Sequence, residues 1–106
     1  MSHSKPGPAA ATDRAALERV TDIFKALSNP VRVGIVRELA AGDRAVHELV
    51  AALDVAQPRV SEHLAVLRGA RLVEARRAGR TVSYHLVDEH VAHIVEDAVV
   101  HADEHR

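Results

Sequence analysis

The chain has 106 residues, enough for one domain with a modest hydrophobic core. It contains no cysteine, which excludes disulfides, thiolate metal sites and cysteine nucleophiles. Apolar residues make up 47% of the chain but aromatic residues only 2%, so the core must be built from Leu, Val, Ile and Ala, which favours helices over an aromatic-rich β-sandwich. No apolar run reaches membrane-spanning length and the N-terminus lacks a secretory signal, so we expect a cytoplasmic protein.

The net charge of −1 conceals two oppositely charged blocks. Residues 59–80 contain six arginines against two glutamates, a balance of +4, whereas residues 85–106 contain six carboxylates against one arginine, a balance of −5. Four of the eight histidines lie in the last 17 positions. A basic block beside an acidic, histidine-rich block indicates separate surfaces for a polyanion and for a cation.

The chain begins with a stretch that has no periodicity. Residues 1–12 are small and contain Pro and Gly, so we expect a disordered arm followed by one domain at 13–106. Thr12 or Asp13 can cap a first helix. The apolar residues of this helix recur at helical spacing: Leu17, Val20, Phe24 and Leu27.

Three further helices are predicted in the first two thirds of the chain. Asn29-Pro30 is suited to cap and start the second, which ends near Gly42. Its inward-facing residues are Val33, Val36 and Leu39. A short helix at about 46–53 and another from Gln57 to about Arg68 are joined by a tight turn, which is the organisation of a helix-turn-helix. The core-facing residues of the last helix are Val60, Leu64 and Leu67.

A β-hairpin follows the helix-turn-helix. Residues 72–76 and 81–86 alternate in polarity and flank a Gly-containing turn, which we place at 77–80. Arg76, Arg77 and Arg80 make this hairpin a basic wing. The expected fold is therefore mainly α with a β-hairpin wing (α+β), a winged helix-turn-helix.

A helix that fits the major groove beside a basic hairpin predicts double-stranded DNA as the partner. The residues that we expect at this interface are Gln57, Arg59, Ser61, His63, Arg68, Arg76, Arg77 and Arg80. The three hairpin arginines suit phosphates or the adjacent minor groove, whereas Arg59, Ser61 and His63 suit the major groove. The alternative is a solvated surface whose arginines serve solubility.

The C-terminal segment predicts one more amphipathic helix. Its apolar stripe consists of Val91, Ile94, Val95, Ala98, Val99 and Ala102. We expect a homodimer formed through the N- and C-terminal helices. The contacts would come from Leu17, Val91, Ile94, Val95, Ala98 and Val99.

Asp88, His90, His101 and Glu104 flank this stripe and have side chains that suit a borderline metal such as zinc. His90 and His101 lie about 16 Å apart along a straight helix, so one helix cannot close a site from both ends. Two antiparallel copies across a two-fold axis would complete two identical sites. The alternative is that Asp88 is a helix cap and the others form a solvated face.

Four segments together resemble one known family, the ArsR/SmtB metal-sensing repressors. They are ALSNPVR at 26–32, VHEL at 46–49, QPRVSEHL at 57–64 and RAGRTVSY at 77–84. The resemblance covers about residues 17–105 and implies a homodimeric winged helix-turn-helix repressor that binds operators with dyad symmetry and leaves them when metal binds.

The resemblance also implies a ligand set. The family's C-terminal-helix site has the pattern D-x-H, ten residues, H, two residues, then E or H, and Asp88, His90, His101 and Glu104 match it. We expect Zn(II) as the inducer, as in the actinobacterial-type zinc sensors that the sequence resembles. A Ni(II)/Co(II) sensor using extra ligands from His105, His93 and His3 is the alternative, and a regulator whose C-terminal helix is only a dimer interface is another.

An enzymatic function is not expected. Residues 101–105 spell H-x-x-E-H, an inverted zinc-protease motif. A hydrolase would also need a third protein ligand and an open cleft for substrate and activated water. Only Arg106 follows the motif, so we do not interpret it as a catalytic site.

Overall fold

The structure, a computed structural model, describes residues 13–106, so the predicted arm at 1–12 and His3 lie outside the described residues. The helices are α1 (Arg14–Leu27), α2 (Pro30–Ala41), α3 (Val46–Leu53), α4 (Gln57–Gly69) and α5 (Glu89–Glu104), and the strands are β1 (Val73–Ala78) and β2 (Thr81–Leu86). Helices α3 and α4 form the helix-turn-helix and β1–β2 the wing, which confirms the predicted fold. No helix among residues 13–106 is long and apolar enough to cross a membrane.

Short polar side chains start three of the helices. Asp13 accepts a hydrogen bond from the Ala16 amide at 2.7 Å and so caps α1, and Asn29 caps α2 by accepting from two amides. Asp88 caps α5. Each of these residues satisfies backbone N–H groups that have no partner inside the helix, and losing such a cap costs about 1 kcal/mol.

The hydrophobic core is centred on α2, which packs against α1, α3, α4 and α5 as well as β2. The predicted inward face of α4 is confirmed, since Val60, Leu64 and Leu67 are all buried. The largest fully buried side chains are Ile35, Leu49, Leu64, Leu67, Val36, Val60 and Val73. Because α2 contacts both α4 and α5, it is the element that connects these two helices.

The hairpin turn is tighter than predicted. Ala78 pairs with Thr81, so the turn consists of Gly79 and Arg80 rather than residues 77–80. Gly79 has a φ of +63°, a left-handed conformation that glycine adopts without steric cost. Arg77 instead lies within β1, opposite Val82.

The segment between α2 and α3 pairs with the wing at one residue, through an isolated antiparallel bridge between Arg44 and Tyr84. The Tyr84 amide donates to the Arg44 carbonyl at 2.7 Å, and the Arg44 amide donates to the Tyr84 carbonyl at 3.1 Å. These two hydrogen bonds join β2 to the loop that precedes the helix-turn-helix. The base of the wing is therefore fixed to the helical body.

The apolar stripe of α5 is divided between the core of the protomer and an exposed surface. Val91 and Val95 are only 5% and 4% exposed and belong to the core of the protomer, where α5 packs on α2. The protomer thus already buries most of these two side chains, and their assignment to a dimer interface stays a prediction. Val99 is half-buried, whereas Ile94 and Ala98 are exposed.

The stripe predicted on α1 is divided in the same way. Leu27 is buried in the core, whereas Leu17, Val20 and Phe24 are 50%, 44% and 56% exposed. Three large apolar side chains on one helix are thus left uncovered by the rest of residues 13–106. Of the three, Phe24 also lines the groove that Ile94 and Ala98 border, as described below.

Candidate nucleic-acid interface and metal half-site

The N-terminal half of α4 presents its polar side chains to solvent. Gln57, Arg59 and Ser61 are exposed above the buried face of the helix. At about 100° per residue, Gln57 and Ser61 lie on one flank of α4, while Arg59 and His63 lie on the other. In a helix-turn-helix this half of the second helix enters the major groove.

Arg68 lies apart from these residues. It is exposed in the last turn of α4, about 16 Å along the helix axis from Gln57. Arg68 and Arg71 border a surface cleft at the base of the hairpin. Arg68 is therefore placed to meet phosphates beside the groove rather than the base edges read by the start of the helix.

His63 is not a free surface residue. It is half-buried, and its Nδ1 lies 3.1 Å from Nη1 of Arg32, at the start of α2. Burial lowers the pKa of His63, and the positive charges of Arg32 and Arg59 lower it further, against an opposing effect of Glu62. The sequence did not identify Arg32 as part of this interface, because no spacing rule relates residues 31 positions apart.

The wing arginines differ from one another. Nη1 of Arg76 forms an ion pair with Oδ2 of Asp43 at 2.7 Å, an acidic partner that the sequence did not reveal. Arg77 and Arg80 are exposed near the hairpin tip. To contact a DNA phosphate, Arg76 would have to break its ion pair with Asp43. Arg77 and Arg80 are therefore better placed to contact phosphates.

Asp88 has one oxygen engaged and one available. Its Oδ1 accepts hydrogen bonds from the amides of His90 at 2.9 Å and Val91 at 3.3 Å, which caps α5. The two interpretations of this residue are therefore compatible, since a monodentate metal contact through Oδ2 would leave the cap intact. His90, two residues further along the chain, is exposed.

The far end of α5 places two imidazoles together. The rings of His101 and His105 stack with centroids 4.3 Å apart and planes 23° apart. Nδ1 of His105 donates to the His101 carbonyl at 2.9 Å, which leaves Nε2 of His105 as the nitrogen with a free lone pair. Glu104 is exposed beside them.

Within one protomer these side chains do not converge. Among residues 13–106, no three His, Asp or Glu side chains cluster closely enough to hold a metal ion. Asp88 with His90, and His101 with Glu104, lie at opposite ends of a 16-residue helix. His93 borders a different depression, formed with Ala40 on α2. The two ends of α5 thus carry separate pairs of candidate ligands, whose donor types suit zinc.

An apolar groove of about 350 Å³ runs between α1 and α5. It is lined by Phe24, Leu27, Val33, Ile94, Val95, Ala98, Val99 and Ala102. Ile94 and Phe24 are 38% and 56% exposed on its two sides. A groove lined wholly by apolar side chains, next to exposed ones, marks a surface for protein contact.

The chain matches known proteins along most of its length. Residues 29–75 match the family described as "Bacterial regulatory protein, arsR family". The HTH-type transcriptional repressor SmtB of Mycobacterium tuberculosis is 50% identical over 91 residues, which is 86% of this chain and 67% of that protein. The HTH-type transcriptional regulator NmtR of the same species is 37% identical over 106 residues, covering 97% of this chain and 88% of that one.

A solved structure shows the same architecture. The homodimeric winged helix-turn-helix DNA-binding domain of a possible ArsR-family transcriptional regulator from Mycobacterium bovis superposes with a TM-score of 0.77. It is 35% identical and covers 99% of this chain and 93% of that chain. The helix-turn-helix, the wing and these likenesses agree: the chain belongs to the ArsR family of bacterial transcriptional regulators, which are DNA-binding proteins and not enzymes.

Proposed function

We propose that the protein is a homodimeric repressor that binds dyad-symmetric operator DNA and releases it when Zn(II) binds at two intersubunit sites. The observation that carries this proposal is the separation of the ligands on α5. Asp88 and His90 lie at one end, and His101 and Glu104 at the other, so a four-ligand site needs a second protomer.

Dimerisation is supported by the apolar groove between α1 and α5. Phe24 and Ile94 line the groove and are exposed, and Leu17 and Val20 expose further apolar surface on α1 that a second copy would cover. Packing the two α5 helices antiparallel about a two-fold axis buries the groove of both copies. The same arrangement brings the N-terminal end of one α5 to the C-terminal end of the other.

The donor set supports a metal ion as the inducer. Two imidazoles and two carboxylates can complete the tetrahedral coordination that zinc prefers. Zinc bound there would link the two protomers through side chains that otherwise only face each other. The resemblance to ArsR/SmtB zinc sensors favours the same metal.

The contacts of α2 suggest how the metal site and the DNA interface communicate. Helix α2 packs against α5 on one side and α4 on the other. A changed arrangement of the paired α5 helices would therefore alter the separation of the two α4 helices. Two such helices need a spacing of about 34–36 Å to enter successive major grooves. The coupling is reciprocal, so operator DNA must weaken zinc binding by the same factor.

The test is zinc titration of the purified protein together with its binding to DNA from upstream of its own gene. We expect two zinc ions per dimer and loss of the DNA complex, with recovery on adding chelator. His101→Gln should retain metal-free DNA affinity but lose release by zinc, whereas His93→Gln should respond normally. A His101→Gln variant still released by zinc would remove this residue from the mechanism, and no stoichiometric zinc binding would leave α5 as an interface only.

The stacked pair at the end of α5 supports a Ni(II)/Co(II)-responsive repressor as a second candidate. His105 holds a free Nε2 beside His101 and could raise the coordination number above four. His105→Gln separates the two candidates. It should leave zinc-driven release unchanged if zinc is the inducer, and abolish nickel- or cobalt-driven release if these metals act through additional histidines.

A further inference from the structure

One half-buried guanidinium joins three helices of the DNA-binding half. Arg32 lies in the first turn of α2, where Asn29 caps its amide. Its Nε donates to the Ala26 carbonyl in the last turn of α1 at 2.6 Å, and its Nη1 contacts Nδ1 of His63 at 3.1 Å. The side chain therefore links the end of α1 to the middle of α4.

The chemistry of arginine fixes the direction of the second contact. A guanidinium remains protonated in proteins and has only N–H donors, so it cannot accept a hydrogen bond. Nδ1 of His63 must therefore be the acceptor in this pair. In a neutral imidazole one nitrogen donates and the other accepts, so the proton of His63 resides on Nε2.

The charged groups around His63 favour the neutral ring. Arg32 on α2 and Arg59 on α4 oppose a second proton, Glu62 on α4 favours it, and burial opposes it, so the pKa of His63 lies below its ordinary value of 6.5. At neutral pH the ring is uncharged. Nε2 is then the nitrogen of this ring that donates a hydrogen bond. It belongs to a residue on the flank of α4 that also carries Arg59.

We propose that Arg32 is a positioning residue that holds His63 as an Nε2–H donor toward hydrogen-bond acceptors of the operator. This rests on the proposed operator binding and specifies how one side chain of the recognition helix takes part. Acceptors available to such a donor are phosphate oxygens and, in the major groove, N7 and O6 of guanine, N7 of adenine and O4 of thymine. The exocyclic amino groups of cytosine and adenine are donors, so His63 discriminates against them.

The first test reads the tautomer directly. Long-range ¹H–¹⁵N correlation spectra of the DNA-free protein distinguish a ring protonated at Nε2 from one protonated at Nδ1, and the signals missing in His63→Gln assign His63. We expect the Nε2–H form in the wild type and a mixture of tautomers in Arg32→Met. An Nδ1–H ring, or a mixture in the wild type, would overturn the inference even if zinc-controlled repression is intact.

The second test is a double-mutant cycle on operator affinity. Losing one hydrogen bond of this kind should weaken binding about tenfold, so Arg32→Met and His63→Ala should each cost about tenfold. If Arg32 acts through His63, the double variant should bind no worse than His63→Ala alone. A further tenfold loss on adding Arg32→Met to His63→Ala would show that Arg32 acts by a separate structural route and would overturn the proposal.

Salt and pH dependence separate positioning from direct contact. Arg32→Met should leave the slope of log affinity against log salt unchanged, because Arg32 itself holds no phosphate. Its affinity should rise more than that of the wild type between pH 8 and pH 6, because His63 without Arg32 becomes protonated more readily. A slope reduced by about one phosphate contact would place Arg32 on the DNA and contradict the assigned role. Failure of zinc to release the wild-type protein would contradict the proposed function but not this inference.

Discussion

Helices α4 and α5 are both amphipathic, but they complete their apolar faces differently. The three inward residues of α4, Val60, Leu64 and Leu67, are at most 2% exposed within one protomer. In the apolar stripe of α5 only Val91 and Val95 are buried to a comparable degree, while Ile94 is 38% exposed. The inward apolar face of α4 is covered within its own protomer, whereas the apolar stripe of α5 is covered only in part.

The polar side chains of the two helices differ in a corresponding way. On α4 the polar side chains are ready for a ligand in the single protomer, and one of them, His63, is already oriented by a neighbouring helix. On α5 the candidate metal ligands are divided between two ends and remain incomplete. Folding of one chain therefore suffices to build the candidate DNA-binding surface, whereas the proposed metal site needs a second copy.

Leu64→Ala gives the largest expected effect and tests whether the α4 face is a closed core. Removing a fully enclosed leucine side chain should lower the free energy of unfolding by about 3 kcal/mol, as measured by urea denaturation. Val66→Ala is the matched control, since Val66 is on the same helix but 43% exposed, and should change stability by less than about 0.5 kcal/mol. Similar losses in the two variants would show that the inward face of α4 is not a closed core.

Ile94→Asp tests whether the exposed side of α5 needs a partner. A dimer would bury two carboxylates of the variant, so the dissociation constant should rise about 100-fold while the protomer stays folded. Analytical ultracentrifugation over a concentration series measures this change. Val100→Asp, about 120° away around the helix, should leave association unchanged. An unaltered dimer in Ile94→Asp would move the interface elsewhere.

Asp88→Asn separates the two roles of the residue that caps α5. Asparagine caps helices as well as aspartate does, so the free energy of unfolding should hardly change. The variant lacks the carboxylate, so zinc affinity should fall by at least about tenfold in a competition titration. Asp88→Ala should add a loss of stability of about 1 kcal/mol. Unchanged zinc affinity in Asp88→Asn would leave the residue as a cap alone.

The smallest expected effect concerns the pH dependence of stability. The pKa of His63 is lowered in the folded protein, so below its ordinary pKa of 6.5 the unfolded chain binds the proton more readily. The contribution of His63 is therefore fully present above pH 6.5 and is lost as the pH falls towards the lowered folded pKa. Urea denaturation between pH 7.5 and pH 5.5 should show a shallower loss in His63→Gln than in the wild type. Superimposable profiles would contradict the lowered pKa.

Local sequence signals predicted the elements well. The position of α3, the beginning of α4 and the cap at Asp88 follow from periodicity, from Pro58 near the helix start and from the chemistry of short polar side chains. These features depend on neighbours a few residues away. Composition and periodicity therefore sufficed for the winged helix-turn-helix.

Features that depend on distant neighbours were not predictable in the same way. Periodicity marked Val91, Val95, Ile94 and Ala98 as one stripe, but it could not tell which apolar residues the protomer covers and which it leaves for a partner. The contacts between Arg32 and His63 and between Asp43 and Arg76 span 31 and 33 residues. Only the packing of α2 and the wing brings these groups together.

The pairing of Arg44 with Tyr84 has a consequence for engineering. Because Arg44 in the loop ahead of α3 pairs with Tyr84 of β2, residues outside the hairpin help to set its angle to the helical body. Transplanting residues 73–86 alone into a related scaffold would leave the recipient's own loop to set that angle. A faithful exchange of operator preference between relatives would have to carry Asp43 and Arg44 along with the hairpin.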